Sequence, residues 1–222
     1  MVVNFTELLG REYAGKLGEE ADKFISYSVE GALRIEALLK ALLAYWEVNG
    51  REHGVFASVD CSAVLAKALL NLQVAIAESG AIVTSGPLPT VVAEEVMLTQ
   101  LFQNLISNSI KYRGEETPRI HVSAERDGEG WLFAVRDNGI GIDPQDAGRV
   151  FGMFRRLHGN EISGTGIGLA LCKKIVERKG GRIWVESEAG RGATFKFITP
   201  DHKSPPPAQG PDRGPLTENG QF

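Results

Sequence analysis

The sequence predicts an α+β protein: a helical hairpin followed by a two-layer α/β sandwich with one mixed sheet and helices on one face. Three observations lead to this fold class. Residues 19–49 repeat apolar residues with helical spacing. Four short segments after residue 119 alternate apolar and polar residues in two pairs around glycine-containing turns, as β-hairpins do. Amphipathic helical segments separate the strands, so strands and helices are expected to pack as two layers.

Residues 1–50 are expected to form a partial helical hairpin. Val2–Leu9 predicts the end of a helix, residues 10–18 a loop, and Glu19–Asn49 a long helix. The apolar stripe on the long helix is too wide for that helix to be stable alone. It needs the first helix, the sandwich, or the same helix of another chain, and we favour a homodimeric bundle.

Residues 55–199 are expected to form the sandwich. Its predicted elements are, in order, a strand at Val55–Val59, a helix from Asp60 or Ser62 to about Glu78, strands at Ile82–Thr84 and Thr90–Val92, a helix at Leu98–Tyr112, a hairpin of Ile120–Arg126 with Trp131–Val135, a helix at Ile167–Lys179, and a hairpin of Arg182–Ser187 with Thr194–Ile198. Residues 200–222 are rich in proline and glycine, lack apolar periodicity and are predicted to be a disordered tail.

Composition and charge exclude several classes of protein. Hydrophobic residues are 43% and charged residues 23% of the chain, which is ordinary for a globular domain. A net charge of −4 argues against a general nucleic-acid-binding surface. No apolar run has membrane-spanning length and no signal peptide is recognisable, so a cytoplasmic location is expected. Cys61 and Cys172 have no metal or redox spacing and are expected to be reduced core thiols.

Two glycine clusters predict an anion site. The first is Asp137-Asn138-Gly139-Ile140-Gly141, and the second runs from Gly164 to Gly168 and opens a helix. Glycine is used where backbone approaches closely or φ is positive. A glycine-rich turn before a helix presents free N–H groups to an anion, for which we propose the phosphates of a nucleotide. The polar segment between the clusters, residues 142–163, is called the lid segment below and is expected to be mobile.

Asp137 and the preceding helix suggest how the rest of a nucleotide is bound. A carboxylate at the end of a strand can accept a hydrogen bond from the 6-amine of adenine, whereas the carbonyl of guanine would repel it. Asn104, Asn108 and either Lys111 or Tyr112 recur at helical spacing and therefore share one helix face. An asparagine oxygen suits Mg²⁺, Lys111 can neutralise phosphate charge, and Tyr112 can cover the base or ribose.

These residues resemble, in order, the ATP-binding motifs of sensor histidine kinases. The matching motifs are Leu98-x-Gln100-x-x-x-Asn104-Leu105-x-x-Asn108-x-x-Lys111-Tyr112, Asp137-x-Gly139-x-Gly141, Phe151-x-x-Phe154, Gly164-Thr165-Gly166-Ile167-Gly168-Leu169 and Gly192-Ala193-Thr194-Phe195. The resemblance covers roughly residues 55–199, and Phe154-Arg155-Arg156-Leu157-His158 is similar to the phytochrome-like branch. It implies a catalytic domain of the GHKL superfamily with a Bergerat-type ATP site, ATP and Mg²⁺ as cofactors, and a response regulator receiver domain as partner.

The resemblance and the residue chemistry together predict the site residues. Catalytic roles are expected for Asn104, Asn108, Lys111 and Arg156, and the metal ligand is Asn108. The nucleotide contacts are expected from Asn108, Lys111, Tyr112, Asp137, Gly139, Gly141, Ile142, Gly164, Thr165, Gly166, Ile167, Gly168, Leu169 and Thr194. Some roles stay open: Arg156 approaches the γ-phosphate or is solvated, and Thr194 touches phosphate or, like Gly192, only shapes a hairpin. Phe151 and Phe154 are expected to pack and position the lid segment, and His158 to be exposed on it.

The predicted reaction transfers the γ-phosphoryl group of ATP to a histidine on a dimerisation helix, for relay to a response regulator. None of the four histidines has the His-Asp/Glu-x-x-x-Pro surroundings that the family uses for its acceptor. Judged from Phe5-x-x-Leu8-Leu9, that histidine would lie before Met1, so the acceptor is expected outside this sequence.

Two other functions and one further motif remain as alternatives. ATPases related to gyrase and heat-shock chaperones use a glutamate one helical turn before the metal asparagine, where this chain has Asn104, which cannot take a proton near neutral pH. A non-catalytic dimerisation and docking module is the alternative from another class, and the intact Asn108 and Asp137 argue against it. Residues 10–16 nearly spell a phosphate-binding loop but lack the final Ser/Thr and a preceding strand.

Overall fold

The computed structural model describes residues 1–50, 55–128, 130–155 and 164–201. It contains six helices and seven strands within those ranges. The helices are α1 (Val2–Tyr13), α2 (Glu19–Gly50), α3 (Cys61–Asn71), α4 (Gln73–Ser79), α5 (Glu95–Lys111) and α6 (Gly168–Arg178). The strands are β1 (Ala57–Asp60), β2 (Ile82–Ser85), β3 (Thr90–Ala93), β4 (Arg119–Asp127), β5 (Gly130–Asp137), β6 (Arg182–Ser187) and β7 (Ala193–Pro200).

The N-terminal hairpin consists of α1 and α2, which pack against each other. Helix α1 extends beyond the predicted end at Leu9 to Tyr13, because Gly10 continues the helix and lies against α2: a Cβ at Gly10 would be 3.6 Å from Ile25. The turn is held by the Asp22 carboxylate, which accepts the Gly15 N–H at 3.1 Å. Many large apolar side chains of the hairpin remain exposed: Phe5, Leu8, Leu9, Phe24, Tyr27, Ile35, Leu39, Leu43 and Trp46.

The main sheet has five strands in the order β2-β4-β5-β7-β6. The β2–β4 pair is parallel and the others are antiparallel, so the sheet is mixed, as predicted. Strands β1 and β3 instead form a separate two-stranded antiparallel sheet, which the sequence analysis did not anticipate. The α+β sandwich is confirmed, and the difference in the sheets is that β1 and β3 pair with each other.

Alternation along the strands places one face of the main sheet against the helices. In β7 every second residue from Ala193 is buried. The centre of the core is a group of three aromatic rings from α5, β5 and β7: Phe133 stacks on Phe197 at 4.9 Å, and Phe102 meets both edge-on. This packing fixes α5 across the sheet and therefore fixes the polar side chains at its C-terminal end.

The predicted helix from Asp60 to Glu78 is two helices that bend by 67°. Asp60 caps α3 by accepting the Ser62 N–H at 2.8 Å, as predicted. The break is at Leu72, whose side chain is buried, and α4 ends at Gly80 in the left-handed conformation. Among the described residues no single helix has the length and apolar character of a membrane span. The bent α3–α4 pair meets these two criteria only when its two helices are counted together.

Candidate functional site

A cavity opens between the C-terminal half of α5, the end of β5, the first turn of α6 and the start of the lid segment. It encloses ≈ 570 Å³ of non-protein space, part of it open to solvent. Its lining residues are Asn108, Tyr112, Asp137, Gly141, Ile142, Val150, Arg155, Leu169, Ala193 and Phe195. Six of these, Asn108, Tyr112, Asp137, Gly141, Ile142 and Leu169, were predicted from the sequence. The cavity therefore brings together residues from both glycine clusters and from the asparagine-bearing helix.

Asp137 is a buried carboxylate in the cavity wall that accepts three hydrogen bonds. Its side chain is only 8% exposed at the end of β5. Its Oδ1 atom accepts the backbone N–H groups of Gly139 at 2.9 Å and Ala193 at 3.0 Å. Its Oδ2 atom accepts the hydroxyl of Ser109 at 2.9 Å. Three donors from three different segments thus hold the carboxylate in one orientation beside the cavity.

Ser109 is a site residue that the sequence analysis missed. It lies on α5 four residues after Leu105, on the buried face of the helix, and is 3% exposed. The sequence signal that could have identified Ser109 is a hydroxyl at a core-facing position of the helix, because a buried polar group requires a hydrogen-bond partner. Ser187 was also missed: its hydroxyl accepts the N–H of Ile142 at 2.8 Å and donates to the carbonyl of Gly192 at 2.7 Å. It ties the start of the lid segment to the second hairpin.

In the first cluster, glycine is required by contacts between backbone segments. A Cβ at Gly139 would lie 2.4 Å from the carbonyl oxygen of Tyr112, and one at Gly141 would lie 2.2 Å from that of Glu188. Gly141 also has φ +72°. That these glycines also admit a ligand stays a prediction. Gly141 lines the cavity, but both glycines primarily let the turn pack against α5 and the second hairpin.

Asn108 faces the cavity, whereas Asn104, one turn earlier, does not line it. The Asn104 side chain lies at the start of α6, where a Cβ at Gly168 would be 3.8 Å from its Oδ1 atom. That oxygen accepts the side-chain amide of Gln100 at 3.3 Å. Within the described residues its buried Nδ2 has no hydrogen-bond partner. The structure thus separates the two asparagines, with Asn108 on the cavity and Asn104 at the joint between α5 and α6.

Lys111 connects the α5 end of the site to the second glycine cluster. Its ammonium lies 4.7 Å from the centre of the Tyr112 ring and 3.4 Å from the Tyr112 hydroxyl. A Cβ at Gly164 would be 2.1 Å from the Lys111 Nζ atom. A positive charge therefore lies directly against the glycine backbone that the sequence analysis assigned to phosphate.

The second cluster forms the turn that starts α6. Gly166 has φ +70° and packs against the backbone of Phe154, where its Cβ would be 2.9 Å from the carbonyl carbon. Thr165 does not reach the cavity; its hydroxyl accepts the Ile167 N–H at 3.3 Å. Ile167 is fully buried, and its side chain makes no cap for α6. Leu169 is the member of this cluster that lines the cavity.

The remaining predicted residues divide into three cases. Phe151 packs edge-on against Phe195 at 6.4 Å, as expected of a packing residue, whereas Phe154 is 60% exposed with φ +58°. Thr194 does not line the cavity. Its neighbours Ala193 and Phe195 face the helices, so the two-residue period of a strand puts Thr194 on the opposite face of the sheet. Arg156 and His158 lie outside the described residues.

The donors present fit Mg²⁺ only together with a phosphate ligand. Among the described residues no group of three His, Cys, Asp or Glu side chains could hold a metal ion. Asn108 offers one amide oxygen to the cavity. Mg²⁺ usually keeps several waters and takes further oxygens from substrate phosphates, so a single protein ligand is compatible with it.

Comparison with known proteins assigns the family. The family described as "Histidine kinase-, DNA gyrase B-, and HSP90-like ATPase" matches residues 93–203, which contain α5, both glycine clusters and Asp137. The chain belongs to this family. Within it, the chain is 51% identical to cyanobacterial phytochrome A of Nostoc sp. over 200 residues, 90% of this chain and 26% of that protein. The chain thus spans about a quarter of that relative's length.

Solved histidine kinase structures have the same fold. Full-length ShkA in complex with AMPPNP is 26% identical, with a TM-score of 0.67 over 92% of this chain and 43% of that one. ThkA in complex with the response regulator TrrA is 19% identical, with a TM-score of 0.65 over 91% of this chain and 57% of that one. These similarities confirm a sensor histidine kinase catalytic domain of the GHKL superfamily and its α+β architecture.

Proposed function

We propose that residues 55–199 bind Mg²⁺-ATP and transfer its γ-phosphoryl group to a histidine on a dimerisation helix. One observation carries this proposal: a buried, oriented carboxylate (Asp137) and an amide (Asn108) line one cavity, and a lysine ammonium (Lys111) lies against the neighbouring glycine cluster. The three groups match the three parts of the ligand, a purine with an exocyclic amine, a divalent cation and a phosphate chain. The nucleotide analogue bound to ShkA supports the same assignment.

Each side chain has a separate task in this proposal. Asp137 accepts the 6-amine of adenine through the oxygen that its backbone contacts leave available. Ile142 and Tyr112, both partly buried in the cavity, cover the base and ribose. Asn108 supplies its oxygen to Mg²⁺, which neutralises phosphate charge when bound. Lys111 stabilises the charge on the transferring phosphoryl group.

The transfer requires an acceptor that this sequence does not contain. In the proposed step an imidazole nitrogen forms a bond to the γ-phosphorus, the bond to the β–γ bridging oxygen breaks, and ADP leaves. His121 lies on the solvent side of the main sheet, 2.9 Å from Thr84 Oγ1, and does not line the cavity. His53, His158 and His202 lie outside the described residues and lack the sequence surroundings of the family's acceptor.

We further propose that residues 1–50 form a dimerisation hairpin and that residues 200–222 are a tail outside the catalytic unit. The exposed apolar side chains of α1 and α2 support pairing with a second copy, since burying them in a bundle removes a large apolar surface from water. A response regulator receiver domain is the proposed phosphoryl recipient, by analogy with the ThkA–TrrA complex. A cytoplasmic location is part of the same proposal.

Efficient ATP hydrolysis is the rival activity within the family. It requires a side chain that activates water close to the phosphates. Asn104 occupies the position of that base, is an amide, and lies against α6 rather than on the cavity. The residue chemistry therefore favours transfer to an imidazole, which is itself the nucleophile.

The deciding experiment mixes this chain with γ-labelled ATP, Mg²⁺ and a separate histidine-bearing helical hairpin from the same parent gene. We expect an acid-labile phosphohistidine on the hairpin, and its loss in Asn108→Ala. Asn71→Ala, which changes an exposed asparagine on α3, is the matched control and should behave as the wild type. Rapid release of free phosphate without labelled hairpin would instead indicate an ATPase. Absence of saturable nucleotide binding would leave only a docking module.

A further inference from the structure

We propose that Ser109 is a positioning residue that orients Asp137 Oδ2, the carboxylate oxygen left available by the two backbone contacts to Oδ1, to accept the adenine amine. The proposal rests on the ATP-binding function above and deepens it, because it assigns the choice of base to a hydroxyl on α5 as well as to the carboxylate. The two carboxylate oxygens differ in how many hydrogen bonds each already accepts.

The Oδ1 atom of Asp137 has no capacity left for a ligand. It accepts N–H groups from Gly139 at 2.9 Å and from Ala193 at 3.0 Å. A carboxylate oxygen has two lone pairs in its plane, and these two contacts occupy both. A nucleotide base in the cavity must therefore address Oδ2.

The Oδ2 atom accepts one protein hydrogen bond, from the Ser109 hydroxyl at 2.9 Å. That hydroxyl carries one proton and has a second acceptor within reach, the Leu105 carbonyl at 3.2 Å. The Leu105 carbonyl is neutral and lies four residues earlier in the same helix, where it also takes part in the backbone hydrogen bonding of α5. The contact to the carboxylate is shorter and charge-assisted, so the proton lies toward Asp137. Ser109 is 3% exposed, so bulk water does not compete for this bond.

The Ser109 bond occupies one lone pair of Oδ2, and Asp137 lines the cavity, so the second lone pair is the one available to a ligand there. A base that presents an N–H donor there completes the coordination of the carboxylate. A base that presents a carbonyl leaves a buried acceptor facing another acceptor, which is costly. In the bound state Oδ2 would have two donors, the Ser109 hydroxyl and the adenine amine. Without the hydroxyl, Oδ2 would lose its hydrogen bond from the protein, and the adenine amine would be the only donor to that oxygen.

The test compares Ser109→Ala with the wild type using two ligands that differ only at the 6-position. One is ATP, and the other is purine riboside triphosphate, which has hydrogen in place of the amine. Both dissociation constants are measured by isothermal titration calorimetry on the full chain with Mg²⁺. We expect Ser109→Ala to weaken ATP binding by about five- to tenfold, because a carboxylate that is no longer held at Oδ2 makes a less well aligned hydrogen bond with the adenine amine. Binding of the 6-hydrogen analogue should change by less than about twofold, because no amine is present to be aligned.

The matched control is Ser123→Ala on β4, opposite Ala134 and outside the cavity lining. It should leave both constants unchanged. Equal weakening of both ligands by Ser109→Ala would show a general structural role and overturn the proposal, as would unchanged ATP binding. If the wild type itself bound neither ligand, the ATP-binding function would fail and this inference with it. If the wild type bound ATP normally but Ser109→Ala had no selective effect, only this inference would fail.

Discussion

Replacing Asp137 by asparagine tests the adenine contact most directly. The substitution keeps the shape of the side chain, removes its negative charge and replaces one acceptor oxygen by an NH₂ donor. Oδ1 accepts two backbone N–H groups, from Gly139 and Ala193. The asparagine oxygen must stay there, since turning the amide over would point an NH₂ group at two N–H donors. The amide nitrogen therefore takes the position of Oδ2, next to Ser109.

The new amide nitrogen then faces the 6-amine of adenine, donor against donor. In the free protein Ser109 adapts by donating to the Leu105 carbonyl at 3.2 Å and accepting from the new amide. The folded state is therefore preserved, and the cost falls on ligand binding. A buried polar group left without its partner costs about 1–3 kcal/mol, which corresponds to roughly 5- to 150-fold weaker ATP binding.

The assay is competition of unlabelled ATP against a fluorescent ATP analogue, with thermal unfolding measured on the same samples. Asp127→Asn, at the exposed turn between β4 and β5, is the matched control and should leave the dissociation constant unchanged. A dissociation constant for Asp137→Asn within twofold of the wild type, in a folded protein, would remove Asp137 from the binding site. Purine riboside triphosphate should be nearly insensitive to the substitution, because it has no amine to oppose the new donor.

Three further predictions follow from other parts of the structure. Lys111→Met should weaken ATP by about tenfold or more while leaving adenosine nearly unchanged, because only the phosphates meet the ammonium; calorimetry with both ligands decides. Gly141→Ala should lower the free energy of unfolding, measured in urea, by about 1–3 kcal/mol or more, because its Cβ would be 2.2 Å from the Glu188 oxygen. Gly128→Ala is the control: Gly128 also has a positive φ but has open space around its Cβ position, so that variant reports the backbone strain without the steric clash. Burial raises the pKa of the Cys172 thiol from 9.0 to about 12. The stability that the protonated thiol contributes is therefore complete below pH 9.0 and is lost as the pH rises toward 12, because the unfolded chain loses this proton first. The fall in the urea midpoint over that pH range should be smaller in Cys172→Ala than in the wild type.

Elements with a strong local pattern could be predicted from the sequence. Helix α2 begins at Glu19 as predicted and β6 has the predicted bounds, because their apolar spacing and turn residues extend over many positions. Asn108, Tyr112, Asp137 and Leu169 were predicted as site residues and all line the cavity. Their chemistry is local: an amide, a ring or a carboxylate next to a turn indicates a binding role before the fold is known.

Other features depend on contacts that no local pattern contains. The α3–α4 break lies at Leu72, an apolar residue that is buried in the core and that carries no local helix-breaking signal. Thr194 was assigned to the site by its position in a motif, but its place in the sheet register puts it on the far face. Gly139 and Gly141 were interpreted as openings for a ligand, whereas neighbouring backbone already fills most of that space.

The sequence by itself determined the kinds of element, the hairpins and the residue types that the site can use, because periodicity and turn chemistry act over a few residues. Only the tertiary structure decided which oxygen of Asp137 is available to a base. Gly139 is a neighbour in the sequence, but Ala193, the second donor to Oδ1, and Ser109, the donor to Oδ2, are 56 and 28 residues away along the chain. Packing of α5 across the sheet and pairing of β5 with β7 bring those donors to one carboxylate, and neither event leaves a mark in the sequence around Asp137.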